Sequence, residues 1–132
     1  MKDVMKKIKD FHFVMKVPTS KTPTLPNEGT RMLRRALIEE EVKEYLEAEE
    51  KNSITEIAKE LADIVVVVAG CADVYGIPFE KVFAAVHESN MAKAPNGKVK
   101  RREDGKILKP DNWEPPDISS ILHDAKYDTT VE

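Results

Sequence analysis

The feature that most constrains the fold is a pair of long helix-forming segments joined by only two residues. The first, residues 28–50, is rich in Ala, Leu, Glu, Arg and Lys, which all favour helix. After Lys51-Asn52, the sequence Ser53-Ile54-Thr55-Glu56 has the spacing of a capping box and predicts a helix to about Tyr75, with Gly76 as its stop. Because the link is so short, we expect the two helices to pack antiparallel.

The second of these helices contains an apolar run, Val65–Val68, that alone would suggest a buried strand. The capping box upstream, the Ala-rich flanks and the length of the segment favour a helix instead. A helix this apolar is expected to be buried on nearly all sides.

The remaining segments also indicate an all-α protein. Residues 2–16 predict a helix with one apolar face, formed by Val4, Ile8, Phe11 and Met15. A proline- and threonine-rich connector follows at 17–27. Pro78 suits the first turn of a further helix, which Pro95 limits and whose inner face is expected to carry Phe79, Phe83 and Val86.

The C-terminal part lacks the helical periodicity of the preceding segments. Asp104-Gly105 is a good two-residue hairpin turn, so a short β-hairpin is predicted around it. Trp113 and two following prolines indicate an extended tail packed over the helices. Residues 118–132 are predicted to be a flexible tail, and the alternative for 118–125 is one more short helix. The expected architecture is a bundle of four main helices in one domain over residues 1–132.

Composition excludes several functional classes. The chain has 132 residues and a net charge of −3, without the basic excess expected of a nucleic-acid partner. Its longest apolar run, Ile64–Ala69, is far shorter than a membrane span of about 20 residues. The single cysteine, Cys71, rules out an internal disulfide framework and suits a reducing compartment. We therefore expect a cytoplasmic protein with neither nucleic acid nor membrane as its partner.

Carboxylates occupy positions where these helices should present core residues. In the first long helix the stripe of Leu33 and Leu37 continues to Glu41 and Glu44. In the second, the stripe of Val67, Gly70 and Val74 extends backwards to two further acids, Asp63 and Glu60. Each pair has a three-residue spacing, which makes its members neighbours on a helix surface.

Four converging carboxylates need a positive partner, since burying an unpaired charge is very costly. Neither stripe carries a lysine or arginine between the acids. Oxygen-only ligation favours Mg²⁺, with Mn²⁺ as a substitute, over zinc. The three histidines lie on separate segments and lack the Glu-x-x-His pairing of a di-iron bundle.

Two polar residues, Asn90 and Lys93, continue the apolar stripe of the last main helix and suit contacts with sugar and phosphate oxygens.

The sequence from Leu37 to Glu44, followed by Glu60-Leu61-Ala62-Asp63, resembles the E-E-x-x-E … E-x-x-D signature of MazG-like nucleoside triphosphate pyrophosphohydrolases. The segment Val86–Lys93, with Asp104-Gly105-Lys106 and Lys109-Pro110, looks like the C-terminal part of one single-domain branch. The resemblance covers roughly residues 10 to 117.

The resemblance implies Mg²⁺-dependent cleavage between the α- and β-phosphates of a nucleoside triphosphate. It implies that the metal ligands are Glu41, Glu44, Glu60 and Asp63. Glu40 matches a glutamate that orients or deprotonates the attacking water, and Asn90 and Lys93 match substrate-contacting positions. It also implies a homodimer or a higher homo-oligomer.

Other functions remain open at the level of sequence. Within the same superfamily the substrate could be phosphoribosyl-ATP or dUTP, because no aromatic residue identifies the base. In a different class, the chain could be a non-catalytic dimerisation module whose acids hold a structural ion.

Overall fold

A computed structural model describes residues 1–127, which form five α-helices and no β-strand. The helices are α1 (Lys2–Val14), α2 (Glu28–Glu50), α3 (Ile54–Val74), α4 (Phe79–Met91) and α5 (Ile118–Tyr127). The all-α prediction is therefore confirmed. The chain divides into two compact units, Met1–Phe79 and Glu80–Glu132. The single domain and the four-helix bundle both stay predictions.

The two long helices begin where the sequence indicates. Asn27 caps α2 by accepting a hydrogen bond from the amide of Thr30 at 2.9 Å, and Ser53 caps α3 by accepting one from the amide of Glu56 at 3.2 Å. Between them Asn52 adopts a left-handed φ of 53°, which turns the chain within the short link. As a result α3 folds back and packs against α2.

The connector after α1 closes the C-terminal end of α3. The amide of Ser20 donates to the carbonyl of Val74 at 3.1 Å, and the amide of Thr24 donates to that of Tyr75 at 2.9 Å. Carbonyls at a helix end have no partner within the helix, so the connector satisfies groups that would otherwise need water. Gly76 ends the helix as predicted, with a left-handed φ of 70°.

The buried face of α1 differs from the predicted one. The residues buried on α1 are Met5, Ile8 and His12, whereas Phe11 and Met15 of the predicted face are exposed. The helix is rotated in this way because the buried carboxylate of Asp73 on α3 binds Lys9 and His12. A polar contact, rather than the most apolar stripe, decides which side of α1 faces α3.

The expectation that α3 is buried on nearly all sides is wrong. Leu61, Val65 and Val66 are 48%, 46% and 43% exposed, because α1 and α2 cover only part of its circumference. On α2, Leu33 is also exposed, as are Phe83 and Val86 on the predicted inner face of α4. These side chains leave apolar surface open to solvent.

In the second unit, the chain after α4 folds back upon that helix. The indole of Trp113 donates a hydrogen bond to the carbonyl of Ser89 at 2.7 Å, so the tail packs on α4. The predicted hairpin is reduced to a turn closed by one antiparallel bridge between Arg101 and Ile107. The short helix predicted at 118–125 is present as α5, in place of that part of the predicted flexible tail. Residues 128–132 lie outside the described residues.

Within residues 1–127, no single helix is both long and apolar enough to cross a membrane. Only α3 and α4 taken together, across the break between them, reach such a length and composition.

The Gly76 turn generates a stability prediction. A Cβ at this position would overlap the carbonyl of Thr22, and L-residues disfavour its left-handed φ. We expect Gly76→Ala to lower the free energy of unfolding by more than about 2 kcal/mol, measured by urea denaturation.

Two alanine variants serve as controls. At Gly105, where φ is +90° and nothing lies within 4 Å, alanine should cost only about 1 kcal/mol. At Gly29, within α2, it should be neutral or slightly stabilising. A Gly76→Ala variant no less stable than Gly105→Ala would contradict the close approach of the connector.

Candidate metal centre

Three of the four predicted ligands converge where α2 faces α3. Glu41, Glu60 and Asp63 each offer a carboxylate oxygen, and these oxygens all lie within 4.8 Å of one another. Glu60 is buried, and the other two are half-buried. Glu60 and Asp63 are neighbours on α3 through their three-residue spacing, and the packing of α2 brings Glu41 to them.

The environment of Glu41 strongly disfavours its charge. Burial is the largest cause, and it raises the pKa of Glu41 from its ordinary value of 4.5 to about 7. A hydrogen bond with the Glu60 carboxyl and the negative charges of Glu44 and Asp63 raise this pKa further. With every group ionised, the buried Oε2 atoms of Glu41 and Glu60 have no hydrogen-bond donor. A proton on Glu41 would supply that donor. A bound cation would instead supply the missing positive charge.

The fourth predicted ligand, Glu44, lies beside this group of three. It is half-buried one turn further along α2, close enough for its charge and a hydrogen bond to raise the pKa of Glu41. Glu40, the predicted catalytic residue, is exposed on α2 next to Glu41 in sequence. The structure thus brings the four acids into one region, and Glu40 is exposed at the neighbouring position of α2.

A lysine reaches the acids, contrary to the expectation that no cation would. The ammonium of Lys59 lies 2.7 Å from Oδ2 of Asp63 and 3.4 Å from Oε1 of Glu60. Lys59 precedes Asp63 by four residues, so the two are neighbours on one face of α3, and this spacing alone indicates the pair. Its side chain is 68% exposed, and the hydrogen bond to Asp63 is the main cause that raises the pKa of Lys59. It neutralises the outer edge of the cluster but leaves the buried oxygens without a donor.

The only cation on the α2 stripe nearby does not neutralise the acids. Arg34 precedes Glu41 by seven residues, which is roughly 10 Å along the helix axis and too far for an ion pair. Its own Nε is buried without a hydrogen-bond acceptor. The negative charge at the centre of the cluster is therefore left uncompensated by the described side chains of the first unit.

These residues fit a hard divalent cation. The donor set is made of carboxylate oxygens alone, which Mg²⁺ and Mn²⁺ accept and which zinc or copper sites rarely use exclusively. Two of the oxygens are buried and have no hydrogen-bond partner. The raised pKa of Glu41 reflects the high cost of its negative charge in this environment. Glu41, Glu60 and Asp63 thus have the composition and proximity that a metal centre needs, and Glu44 lies beside them.

The predicted substrate-contacting residues belong to the second unit. Asn90 is exposed near the end of α4, and its carbonyl accepts a hydrogen bond from the amide of Lys93 at 3.1 Å. The ammonium of Lys93 lies 5.5 Å from the ring centroid of Trp113, a cation–π contact.

Sequence reasoning missed a second buried polar group in the first unit. Asp73 on α3 lies 2.7 Å from Nδ1 of His12 and 2.7 Å from the ammonium of Lys9. His12 packs against Gly70, where a Cβ would lie only 3.3 Å from its Nε2. The sequence contains one signal for this cluster: Asp73 is an acid within the apolar helix α3 and has no second acid three residues away. This cluster joins α1 to α3 and is structural.

Comparison with known families agrees with this geometry. The family model described as phosphoribosyl-ATP pyrophosphohydrolase matches residues 8–90. That range contains all four clustered acids. No curated protein matches the chain.

The raised pKa of Glu41 predicts how stability depends on pH in the absence of metal. Between pH 4.5 and about 7 the folded protein holds a proton on Glu41 that the unfolded chain has released. Folding takes up a proton in this range, so the free energy of unfolding should fall as pH rises through it. Urea denaturation in EDTA at a series of pH values measures this slope.

Replacing Glu41 should remove its contribution to the pH dependence of the free energy of unfolding. We expect Glu41→Gln to show a flatter profile over the same range, whereas Glu49→Gln, an exposed change on the same helix, should follow the unmodified chain. Equal slopes for all three proteins would show that Glu41 titrates normally.

Proposed function

Because the chain belongs to the phosphoribosyl-ATP pyrophosphohydrolase family, within the MazG-like nucleoside triphosphate pyrophosphohydrolase superfamily, we propose that it cleaves a nucleoside triphosphate between its α- and β-phosphates. The products would be a nucleoside monophosphate and pyrophosphate, and the reaction would depend on Mg²⁺. The observation that carries the proposal is the cluster of three carboxylates with two buried, unpartnered oxygens.

The acids have a direct role in this scheme. Glu41, Glu60 and Asp63 would hold the cation, with Glu44 adding a further oxygen beside them. When bound, Mg²⁺ supplies positive charge for the phosphate oxygens and lowers the pKa of a bound water. Lys59 is exposed and can turn towards solvent, which frees Asp63 and Glu60 for ligation.

Glu40 is the proposed general base. It is exposed and adjacent to Glu41 on α2, so its carboxylate could accept a proton from an attacking water within hydrogen-bond reach. The buried acids are less suited, because their oxygens are needed as ligands. Asn90 and Lys93 would contact the sugar and phosphate oxygens of the substrate.

Phosphoribosyl-ATP is the second candidate substrate, because the matching family carries that activity in its description. The same acids would serve, since the bond cleaved is again a phosphoanhydride. dUTP, which other members of the superfamily hydrolyse, would require the same metal set. A non-catalytic helical module would bind the ion and hydrolyse none of these compounds.

We also propose that the chain forms a homodimer or a higher homo-oligomer. Val42 and Leu46 on α2, and Leu61 and Val65 on α3, are spaced four residues apart and exposed. Each pair forms an apolar ridge on its own helix. Contiguous apolar surface of this kind marks protein interfaces, and a second copy with the same ridges is self-complementary.

Activity measurements test the proposed reaction. Pyrophosphate release should be measured over a panel of nucleoside triphosphates and phosphoribosyl-ATP, with Mg²⁺ and with EDTA. We expect release only with Mg²⁺, and a loss of at least about a hundredfold in Glu41→Gln and Asp63→Asn, because metal charge stabilisation contributes several kcal/mol.

The same assay distinguishes the proposed role of Glu40 as general base from that of the metal ligands. Glu40→Gln should lower kcat by about 10² or more while retaining the Mg²⁺ concentration needed for half-activation. Glu49→Gln is the control and should keep full activity. Wild-type turnover in folded Asp63→Asn would remove the metal-ligand assignment, and absence of hydrolysis over the whole panel would remove the enzyme proposal. Hydrolysis of phosphoribosyl-ATP alone would select the second candidate.

The exposed ridges predict an assembly that one charge can disrupt. Light scattering after size-exclusion chromatography should give a mass at least twice that of one chain. Val65→Lys should shift the protein towards the monomer because it places a charge in an apolar interface. The control Val14→Lys, exposed on α1, should leave the mass unchanged. A monomer at every concentration would exclude the assembly.

A further inference from the structure

Trp113 contacts α4 at the end of the helix that carries the predicted substrate-contacting residues. Its indole N–H donates to the carbonyl of Ser89 at 2.7 Å, and its backbone amide donates to the carbonyl of Pro110 at 3.0 Å. The hydroxyl of Ser89, a buried residue, donates in turn to the carbonyl of Glu114 at 3.3 Å. Two hydrogen bonds to one residue of α4 therefore fix the chain around Trp113.

The way α4 ends explains why the carbonyl of Ser89 is open to this contact. In a continuing helix it would accept a hydrogen bond from the amide four residues on, which is that of Lys93. That amide instead donates to the carbonyl of Asn90 at 3.1 Å, because α4 ends at Met91 and the chain tightens there. The indole thus satisfies a helix-end carbonyl that would otherwise need water.

The same indole ring lies against the ammonium group of Lys93. That ammonium lies 5.5 Å from the ring centroid, and the ammonium of Lys109 lies 4.6 Å from it. Among the described residues of the second unit, no carboxylate forms a salt bridge with either lysine. Lys93 is half-buried, and the electron-rich face of the Trp113 ring attracts its charge.

We propose that Trp113 is a positioning residue for Lys93, which holds the ammonium at the end of α4 before a nucleotide binds. Lysine has a flexible four-carbon stem, and ordering such a side chain on binding weakens affinity. A cation–π contact restrains the ammonium through its charge and leaves its N–H groups free to donate to substrate oxygens. Trp113 acts through Lys93, so its role rests on the proposed function, in which Lys93 contacts the substrate.

Tryptophan fluorescence tests the contact without substrate, because Trp113 is the single tryptophan of the chain. Lys93→Met keeps the length of the side chain but removes its charge, so we expect the emission of Trp113 to change. The control Lys81→Met removes an exposed charge from the same helix and should leave the emission unchanged. An emission spectrum that Lys93→Met also leaves unchanged would overturn the positioning role.

Steady-state kinetics tests the consequence for the substrate, with Mg²⁺ and the nucleoside triphosphate that the substrate panel shows to be hydrolysed fastest. Trp113→Leu should raise KM by about threefold to tenfold, the cost of ordering one long side chain on binding, and leave kcat nearly unchanged. Trp113→Phe retains a weaker π face and should raise KM less. Lys81→Met should keep the KM of the unmodified chain.

A double-mutant cycle separates positioning from a purely structural role. In the Lys93→Met background, where KM is already raised, replacing Trp113 should cause no further increase, because the ring has no ammonium left to hold. Trp113→Phe serves for the cycle if Trp113→Leu does not fold.

The outcomes of the cycle decide between the two proposals. The same rise in KM with and without Lys93, or an unchanged KM in every folded Trp113 variant, would overturn the positioning role and leave the proposed function intact. A chain that hydrolyses no member of the panel would remove the proposed function, and the positioning role with it.

Discussion

Mutual repulsion among the carboxylates of Glu41, Glu60 and Asp63 is the constraint on which the first unit depends. Three acids whose oxygens lie within 4.8 Å of one another, two of them with a buried and unpartnered oxygen, cannot all be ionised at low cost. The chain can hold a proton on Glu41 or accept a cation. Lys59 covers only the outer edge, so a cation of higher charge would fit the centre of the cluster.

The other features of the first unit support that arrangement. The two-residue link folds α3 back on α2, and the capping residues fix where each helix starts. The contact of His12 and Lys9 with Asp73 joins α1 to α3 on another side, and Gly70 leaves room for the histidine ring. The connector satisfies the last carbonyls of α3. Rigid helices are a good support for ligands, because a metal centre needs its oxygens within narrow limits.

Local signals in the sequence were enough to predict the bounds of α2 and α3 and the positions of the acids. Capping, helix propensity and three-residue spacing act within a few residues and are visible without a structure. The buried face of α1 was displaced because it depends on Asp73, which is distant in sequence. Lys59 pairs with Asp63 at a four-residue spacing, which is also a local signal but lies just beside the stripe that carries the acids. The exposed side of α3 was also misjudged, since apolar composition does not reveal which partner covers a surface.

The most direct test of the central claim is calorimetric titration of the metal-free chain with Mg²⁺ in two buffers of different ionisation enthalpy. At about pH 7 the account predicts binding with net release of protons, because the pKa of Glu41 is about 7 before the cation binds. The heat should then differ between the buffers by an amount set by that release. A folded chain that binds neither Mg²⁺ nor Mn²⁺ would contradict the claim that these acids form a metal centre.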